Sequence, residues 1–380
     1  MKFISNNLRH CFFAFFMVLG LTQDLYASHG VAIDLTYTCV DPAIGRYRFR
    51  LVYYRDCTGI TPGGGSLSIT LNGGTCMTGT TIPLTQVSVT NVSQLCPGVT
   101  STCNGGTNPG VQEYVYEGTV TIGTGCNNLQ ISFSECCRTN AITNLVNPGS
   151  STYVETVINT NHPNWTVPCN SSPQFNNTPI LYTCSGQPTY YNHGASDPDG
   201  DSLVFTVSNP LQAAPPGGNL AYSGAFTTTQ PLCTNNTFAL DPTNGQIQFT
   251  PCAGQAQYAV IGFIIQEYRN GILIGTTRRE VTVIVLNNCT NQSTQLDSFQ
   301  VNQGVLDTSG IVTSINVCGG NVLDLCINIS DPNSTDSLRI SSDIASVIPG
   351  ATFSVTYIAP GFNRARICFN VPTNNRATGS

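Results

Sequence analysis

Residues 46–53 read RYRFRLVY, with Arg46, Arg48 and Arg50 alternating with Tyr47, Phe49 and Leu51. A period of two sends the arginines to one side of an extended chain and the large apolar rings to the other, the pattern of a half-buried β-strand. The arginine side reads as a solvated sheet face whose guanidinium stems lie along the sheet. Working outward, the same reading predicts strands at 66–71, 111–122, 129–133 and 152–158, with Gly- and Pro-rich turns at 62–65, 103–110 and 147–149. No segment sustains a 3.6-residue period of helix formers. The fold class is therefore all-β, and residues 28–165 are expected to form a β-sandwich of jelly-roll type.

Beyond that unit lies an internal repeat. Cys184 precedes Asp197 by 13 residues in CSGQPTYYNHGASDPDGDSL, and Cys318 precedes Asp331 by 13 residues in CGGNVLDLCINISDPNSTDSL. Both copies contain S-D-P followed by D-S-L. The first copy continues through FALDPTNGQIQFTP at 238–251, where Asn244-Gly245 is a tight-turn signal. Strands are predicted at 259–267 and 276–286, with Asn270-Gly271 as the hairpin turn between them. The result, residues 166–287, has the size of an immunoglobulin-like or cadherin-like module. Residues 288–380 form a second copy in which 366–372 (RICFNVP) match 246–251. Strands equivalent to 259–286 are missing from it, so the chain is expected to continue into further modules of a longer polypeptide.

The N-terminus has the plan of a secretory signal peptide: Lys2, Arg9 and His10, the apolar run 11–21, and then Leu25-Tyr26-Ala27. Residues 1–27 are assigned to it, with Ser28 as the mature N-terminus. The apolar run is shorter than the ~20 residues a spanning helix needs, and no transmembrane segment is expected. The mature chain carries no lysine and 12 arginines against 19 carboxylates, a balance that argues against nucleic-acid partners.

Removing Cys11 leaves sixteen cysteines in a chain bound for an oxidising compartment. Cys39, Cys57, Cys76, Cys96, Cys103, Cys126, Cys136 and Cys137 fall in the first unit. Cys169, Cys184, Cys233 and Cys252 fall in the second, and Cys289, Cys318, Cys326 and Cys368 in the third. Each unit is expected to pair its own cysteines. No C-x-x-C spacing of zinc-site type occurs, which favours disulfides over metal. Cys136 and Cys137 are adjacent at the end of the predicted strand ISFSE, where alternation would point their sulfurs to opposite faces and different partners. A redox-active vicinal disulfide is the alternative.

Asp197-Pro198-Asp199-Gly200-Asp201 places three carboxylates at alternate positions of a turn. Charges that close repel unless solvated or bridged, and an all-oxygen cluster suits Ca2+, with an affinity on the order of 10⁻⁴ to 10⁻³ M as in extracellular modules. Asp331, Asn333 and Asp336 are the equivalents in the second copy. His193, just ahead of the first cluster, reads as a turn residue. Catalysis finds little support: the mature chain has only His29, His162 and His193, with no H-E-x-x-H motif or nucleophile elbow. Glu113 and Glu117 share a strand face but stand ~13 Å apart, too far for a glycosidase pair.

The strings SHGVAIDLTYTC, YRDCTG, ISFSECCRTNAI, YYNHGASDPDGDSLVFTV, GQIQFTP and EYRNGILIG together resemble the N-terminal region of large secreted surface proteins of Bacteroidetes. Such proteins often end in a gliding-motility-associated module and look like type IX secretion substrates. The resemblance covers about residues 28–286 and implies a secreted, cell-surface protein on the outer face of an outer membrane. The DPDGD string also resembles cadherin-like repeats, which implies Asp197, Asp199 and Asp201 as calcium ligands, with Glu267 joining them. Asp201-Ser202-Leu203 and Asp336-Ser337-Leu338 resemble the O-glycosylation acceptor of that phylum, which makes Ser202 and Ser337 candidate glycosylation sites.

The expectation is a non-enzymatic adhesin-like or stalk protein that meets an extracellular surface, a polysaccharide or a neighbouring cell. The alternative is the accessory, carbohydrate-binding region of a larger extracellular hydrolase.

Overall fold

A computed structural model describes residues 29–372 except 64, 74–76, 94–98, 124–127, 160–168, 288, 290–291, 293, 304, 308–313, 317–321, 334–336, 343 and 359–362. The chain is nearly all β. The N-terminal strands are β1 (Gly30–Asp41), β2 (Arg46–Asp56), β3 (Ser66–Gly73), β4 (Met77–Asn91), β5 (Val111–Thr121), β6 (Leu129–Glu135) and β7 (Thr152–Ile158). Then follow β8 (Gln174–Phe175), β9 (Ile180–Cys184), β10 (Thr189–Tyr191), β11 (Ala195–Ser196) and β12 (Ser202–Ser208). The second half closes with β13 (Ala239–Leu240), β14 (Ile247–Phe249), β15 (Gln257–Arg269) and β16 (Ile272–Leu286). The C-terminal strands are β17 (Gln295–Val301), β18 (Val305–Asp307), β19 (Ser314–Asn316), β20 (Val322–Ser330), β21 (Thr352–Ile358) and β22 (Arg364–Pro372).

The alternation at 46–51 is present on β2. Tyr47, Phe49 and Leu51 are buried and Arg46, Arg48 and Arg50 exposed. It ends at Val52, from which point both faces are covered. The reason lies elsewhere in the chain: Val52 and Tyr54 pack with Ile180 and Ile284, and with partly buried Tyr182. The first seven strands run in the order β1-β2-β5-β4-β3-β6-β7, and β1 returns against β7, so that all face one core. That core includes Leu35, Tyr37, Tyr47, Phe49, Tyr116, Ile131 and Val154.

The sheet does not stop at β7. It continues β7-β16-β15-β12, giving eleven strands once β9 is counted beside β16. β15 and β16 form the long hairpin that Asn270-Gly271 predicts, with φ of 53° and 78° at those two residues. β16 pairs with β7 along Gly275–Thr277 and then, in parallel, with β9 along Thr282–Leu286. Between these stretches lie Arg278, Arg279 and Glu280, and each of these consecutive residues forms an ion pair with the first unit: Arg278 with Glu155, Arg279 with Asp34, Glu280 with Arg138. The second core gathers Phe205, Leu232, Ile247, Phe249, Phe263, Val281 and Val283.

The disulfides correct the expectation that each unit pairs its own cysteines. Cys57–Cys103 and Cys233–Cys252 stay within a unit, but Cys39–Cys169 and Cys184–Cys289 cross the boundaries drawn after residues 165 and 287. A second correction concerns Cys136 and Cys137, which are bonded to each other. β6 ends at Glu135, so strand alternation no longer governs the two residues that follow it. In the C-terminal part, β17-β20-β22-β21 form a four-stranded sheet, and Cys326–Cys368 joins directly opposed residues of β20 and β22. Cys76, Cys96, Cys126 and Cys318 lie outside the described residues, as does the 1–27 segment read as a signal peptide. Among the described residues no helix is long and apolar enough to cross a membrane.

Candidate metal centre

The loop between β11 and β12 is built on Asp197. Its Oδ1 accepts backbone N–H groups from Asp199 and Asp201, both at 2.9 Å, which folds the five-residue run back on itself. Gly200, at φ +83°, supplies the left-handed step this turn requires. Folding the run this way aims Asp197 and Asp201 at Glu267 near the end of β15, and one carboxylate oxygen from each lies within 4.8 Å of the others. Among the described residues this is the one such group of three or more His, Cys, Asp or Glu side chains.

Two oxygens of the trio are left over. Asp197 Oδ2 and Glu267 Oε2 are buried with no hydrogen-bond partner among the described residues, and Glu267 as a whole is only 1% exposed. The remaining oxygens are engaged. Glu267 Oε1 accepts from Asn170 Nδ2, and Asp201 receives Arg269 through Nε–Oδ1 at 2.7 Å and Nη2–Oδ2 at 2.6 Å. Burial, reinforced by the charges of Asp201 and Asp199 and opposed by the two backbone N–H groups, raises the Asp197 pKa to about 6. Burial and then the charge of Asp197 push Glu267 well above the usual carboxylate range. A buried carboxylate oxygen without a partner is costly. An all-oxygen donor set with unspent lone pairs fits a hard divalent cation of the calcium type.

Asp199 lies outside this trio. Its Oδ2 accepts the Ser171 N–H at 2.6 Å and stands 3.8 Å from Arg269. Ser171 belongs to a short segment that ties the loop to the first unit. Cys169 is bonded to Cys39, Ser172 exchanges hydrogen bonds with the backbone of Tyr37, and Asn170 Nδ2 reaches the Tyr37 hydroxyl at 3.3 Å. The carboxylate trio therefore sits where the two units meet.

In the second copy Asp331 makes the same local turn, its Oδ1 accepting the Asn333 N–H at 2.8 Å. Asn333 Oδ1 accepts from Gln292 N, and Asp336 lies outside the described residues. Ser202 and Ser337 are both exposed. His193 is not a turn residue: it is fully buried, ringed by Tyr191, Phe205 and Phe263, and its Nδ1 lies 3.3 Å from Arg279 Nη1. Burial first and the Arg279 charge second hold its pKa well below the ordinary value.

Asn170, Arg269, Arg279 and Asp34 are site and junction residues that the sequence reading does not single out. Only Arg269 carried a usable signal, lying two residues beyond Glu267 and hence on the same strand face. The chain is thus an all-β, disulfide-bonded protein with a carboxylate trio at the meeting point of two cores. No protein-family model matches it, and no curated protein matches it.

Proposed function

We propose that this is an exported, non-enzymatic surface protein that works by binding and spacing, and that Ca2+ held by Asp197, Asp201 and Glu267 stiffens the joint between its first two units. The observation that carries this reading is the pair of unpartnered buried oxygens, Asp197 Oδ2 and Glu267 Oε2, at a joint already tied by Cys39–Cys169. With Arg269 paired to Asp201, a bound divalent cation would balance the other two carboxylate charges and cross-link the three ligands, and a stiff joint is what a spacer needs to hold a binding face away from its base. The bonded cysteines support an oxidising, extracytoplasmic setting. The resemblance of SHGVAIDLTYTC, ISFSECCRTNAI and DPDGD to secreted Bacteroidetes surface proteins supports a cell-surface location, with a polysaccharide or a neighbouring cell as partner.

A glycan-array screen of the mature chain with calcium and with excess chelator tests the reading. Selective glycan binding that falls when calcium is withdrawn is the expected result. Binding that is unchanged in chelator would exclude an obligatory role for the cation, and turnover of a bound glycan would exclude the non-enzymatic reading.

A further inference from the structure

Five disulfides among the described residues join positions separated by 130, 46, 105, 19 and 42 residues. The sixth, Cys136–Cys137, spans one. A cross-link stabilises a fold by restricting the unfolded chain, to an extent that grows with the loop it closes. A bond between neighbours closes no loop of other residues, so it restrains no distant part of the chain and is not a staple in the sense the other five are. It differs in exposure too: of the twelve bonded cysteines among the described residues, only Cys136 falls in the exposed class, the others being partly buried.

The backbone on both sides of the pair is anchored independently of the sulfurs. On one side Glu135 is paired with Thr152 as the last residue of β6. On the other, the Cys137 carbonyl accepts the Gly30 N–H at 3.1 Å, and Arg138 N–H donates to Ser150 O at 2.9 Å. The Arg138 guanidinium, 2% exposed, donates to both oxygens of Glu280 at 2.7 and 2.6 Å, to Leu211 O at 2.9 Å and to Ser151 O. Opening the S–S bond therefore leaves the two sulfurs adjacent and the surrounding chain in place.

We propose that Cys136–Cys137 is a surface thiol-exchange site, one that reacts with small thiols or with a dithiol-bearing protein while the structural disulfides stay closed. In the exchange, an incoming thiolate attacks Sγ of the exposed Cys136. A bond forms between that sulfur and the incoming one, the Cys136–Cys137 bond breaks, and its electron pair leaves on Cys137 Sγ, which takes a proton from water. From the mixed disulfide two outcomes balance. Cys137 Sγ, having given its proton back to water, attacks Cys136 Sγ, expels the incoming group as its thiolate and restores the original bond. Alternatively, the second thiol of a dithiol attacks the incoming sulfur, leaving Cys136 and Cys137 as thiols and the dithiol oxidised. Access and the thiolate fraction of the attacker set the rate of the first step.

The test uses the oxidised mature chain with any free thiols first blocked by N-ethylmaleimide. It is exposed to glutathione, or in a second arm to dithiothreitol, and samples are quenched over time with iodoacetamide and mapped by peptide mass spectrometry. Because access governs exchange, glutathione adducts at Cys136 and carbamidomethyl groups at Cys136 and Cys137 are expected to accumulate at least about tenfold faster than label at any of the other ten bonded cysteines. The fast phase should vanish in the Cys136→Ser/Cys137→Ser variant. Another pair opening first, or Cys136 and Cys137 opening only when all the others do, would overturn the proposal. The wild-type map decides the matter even if the double variant does not fold.

Discussion

Arg279 and Asp34, 245 positions apart in the chain, form a two-pronged ion pair, Nε–Oδ1 at 2.8 Å and Nη2–Oδ2 at 3.0 Å, with no exposure of the guanidinium. The pair bridges β16 and β1, and therefore the two cores. The same guanidinium also donates to the carbonyls of His193 and Asn177 and lies 4.0 Å from the centre of the Phe175 ring. A buried charge is tolerated when every donor is used and becomes expensive when its partner is removed.

Replacing one partner should therefore cost more than replacing both. Arg279→Met strands a buried carboxylate, with an expected loss of about 3–5 kcal/mol. Arg279→Met/Asp34→Leu should recover a substantial part of that loss. Urea unfolding followed by circular dichroism checks this, and equal losses in the single and double variants would contradict the assigned coupling.

The disulfides that cross unit boundaries should carry more stability than Cys233–Cys252, which closes a 19-residue separation within one unit. The chain-entropy relation gives ~5 kcal/mol each for Cys39–Cys169 and Cys184–Cys289, against ~3 kcal/mol for Cys233–Cys252. Serine double variants ranked by thermal unfolding test the order; a more damaging loss of Cys233–Cys252 would reverse it.

Much of the fold is legible in the sequence because it is local. Arg46 to Leu51, the Asn270-Gly271 hairpin and strand β7 follow from periods and turn residues that any segment carries by itself. The partnership of the units is not local. Asp34 sits in VAIDLTY, where alternation with apolar neighbours makes it look like an ordinary solvent-facing residue of a strand, and nothing nearby marks it as Arg279's partner. Cys39–Cys169 is hidden for the same reason, since spacing constrains how many bridges form and not which. At the acidic loop the sequence picks out Asp197 and Asp201, but a regular row of three aspartates conceals that Asp199 is spent on Ser171.

Protons and calcium should compete at the trio. The Asp197 pKa, about 6 in the folded state, lies above its ordinary 3.8. Without a cation, this group favours folding at low pH, and the contribution is lost as pH rises from 3.8 through 6; Glu267 acts in the same direction. Calcium binding must displace the proton, so affinity should rise by about tenfold or more between pH 5 and pH 7.5. Calorimetric titration in buffers of different ionisation enthalpy would count the released protons. A pH-independent affinity would contradict the assignment of these carboxylates as ligands.

Gly245 provides a packing test. Its φ is +74°, and a Cβ there would meet Phe205 ring carbons at 2.8 Å and His193 Cδ2 at 3.0 Å. Gly245→Ala should lose about 1–3 kcal/mol through backbone strain and crowding of the second core. Gly254, at φ +70° with open space around it, bears only the strain term, so Gly254→Ala should cost less. Similar melting temperatures for the two variants would argue against this packing.

Thermal unfolding of residues 28–380 with and without Ca2+, beside Glu267→Gln, addresses the cation-stiffened joint most directly. If the ion binds with a Kd of ~0.1 mM, about 10 mM calcium should add ~2.7 kcal/mol and raise Tm. The Gln variant, which removes the charge and keeps the side-chain shape, should lose that response. An unchanged Tm in the wild type, or an equal rise in Glu267→Gln, would contradict calcium binding at Asp197, Asp201 and Glu267.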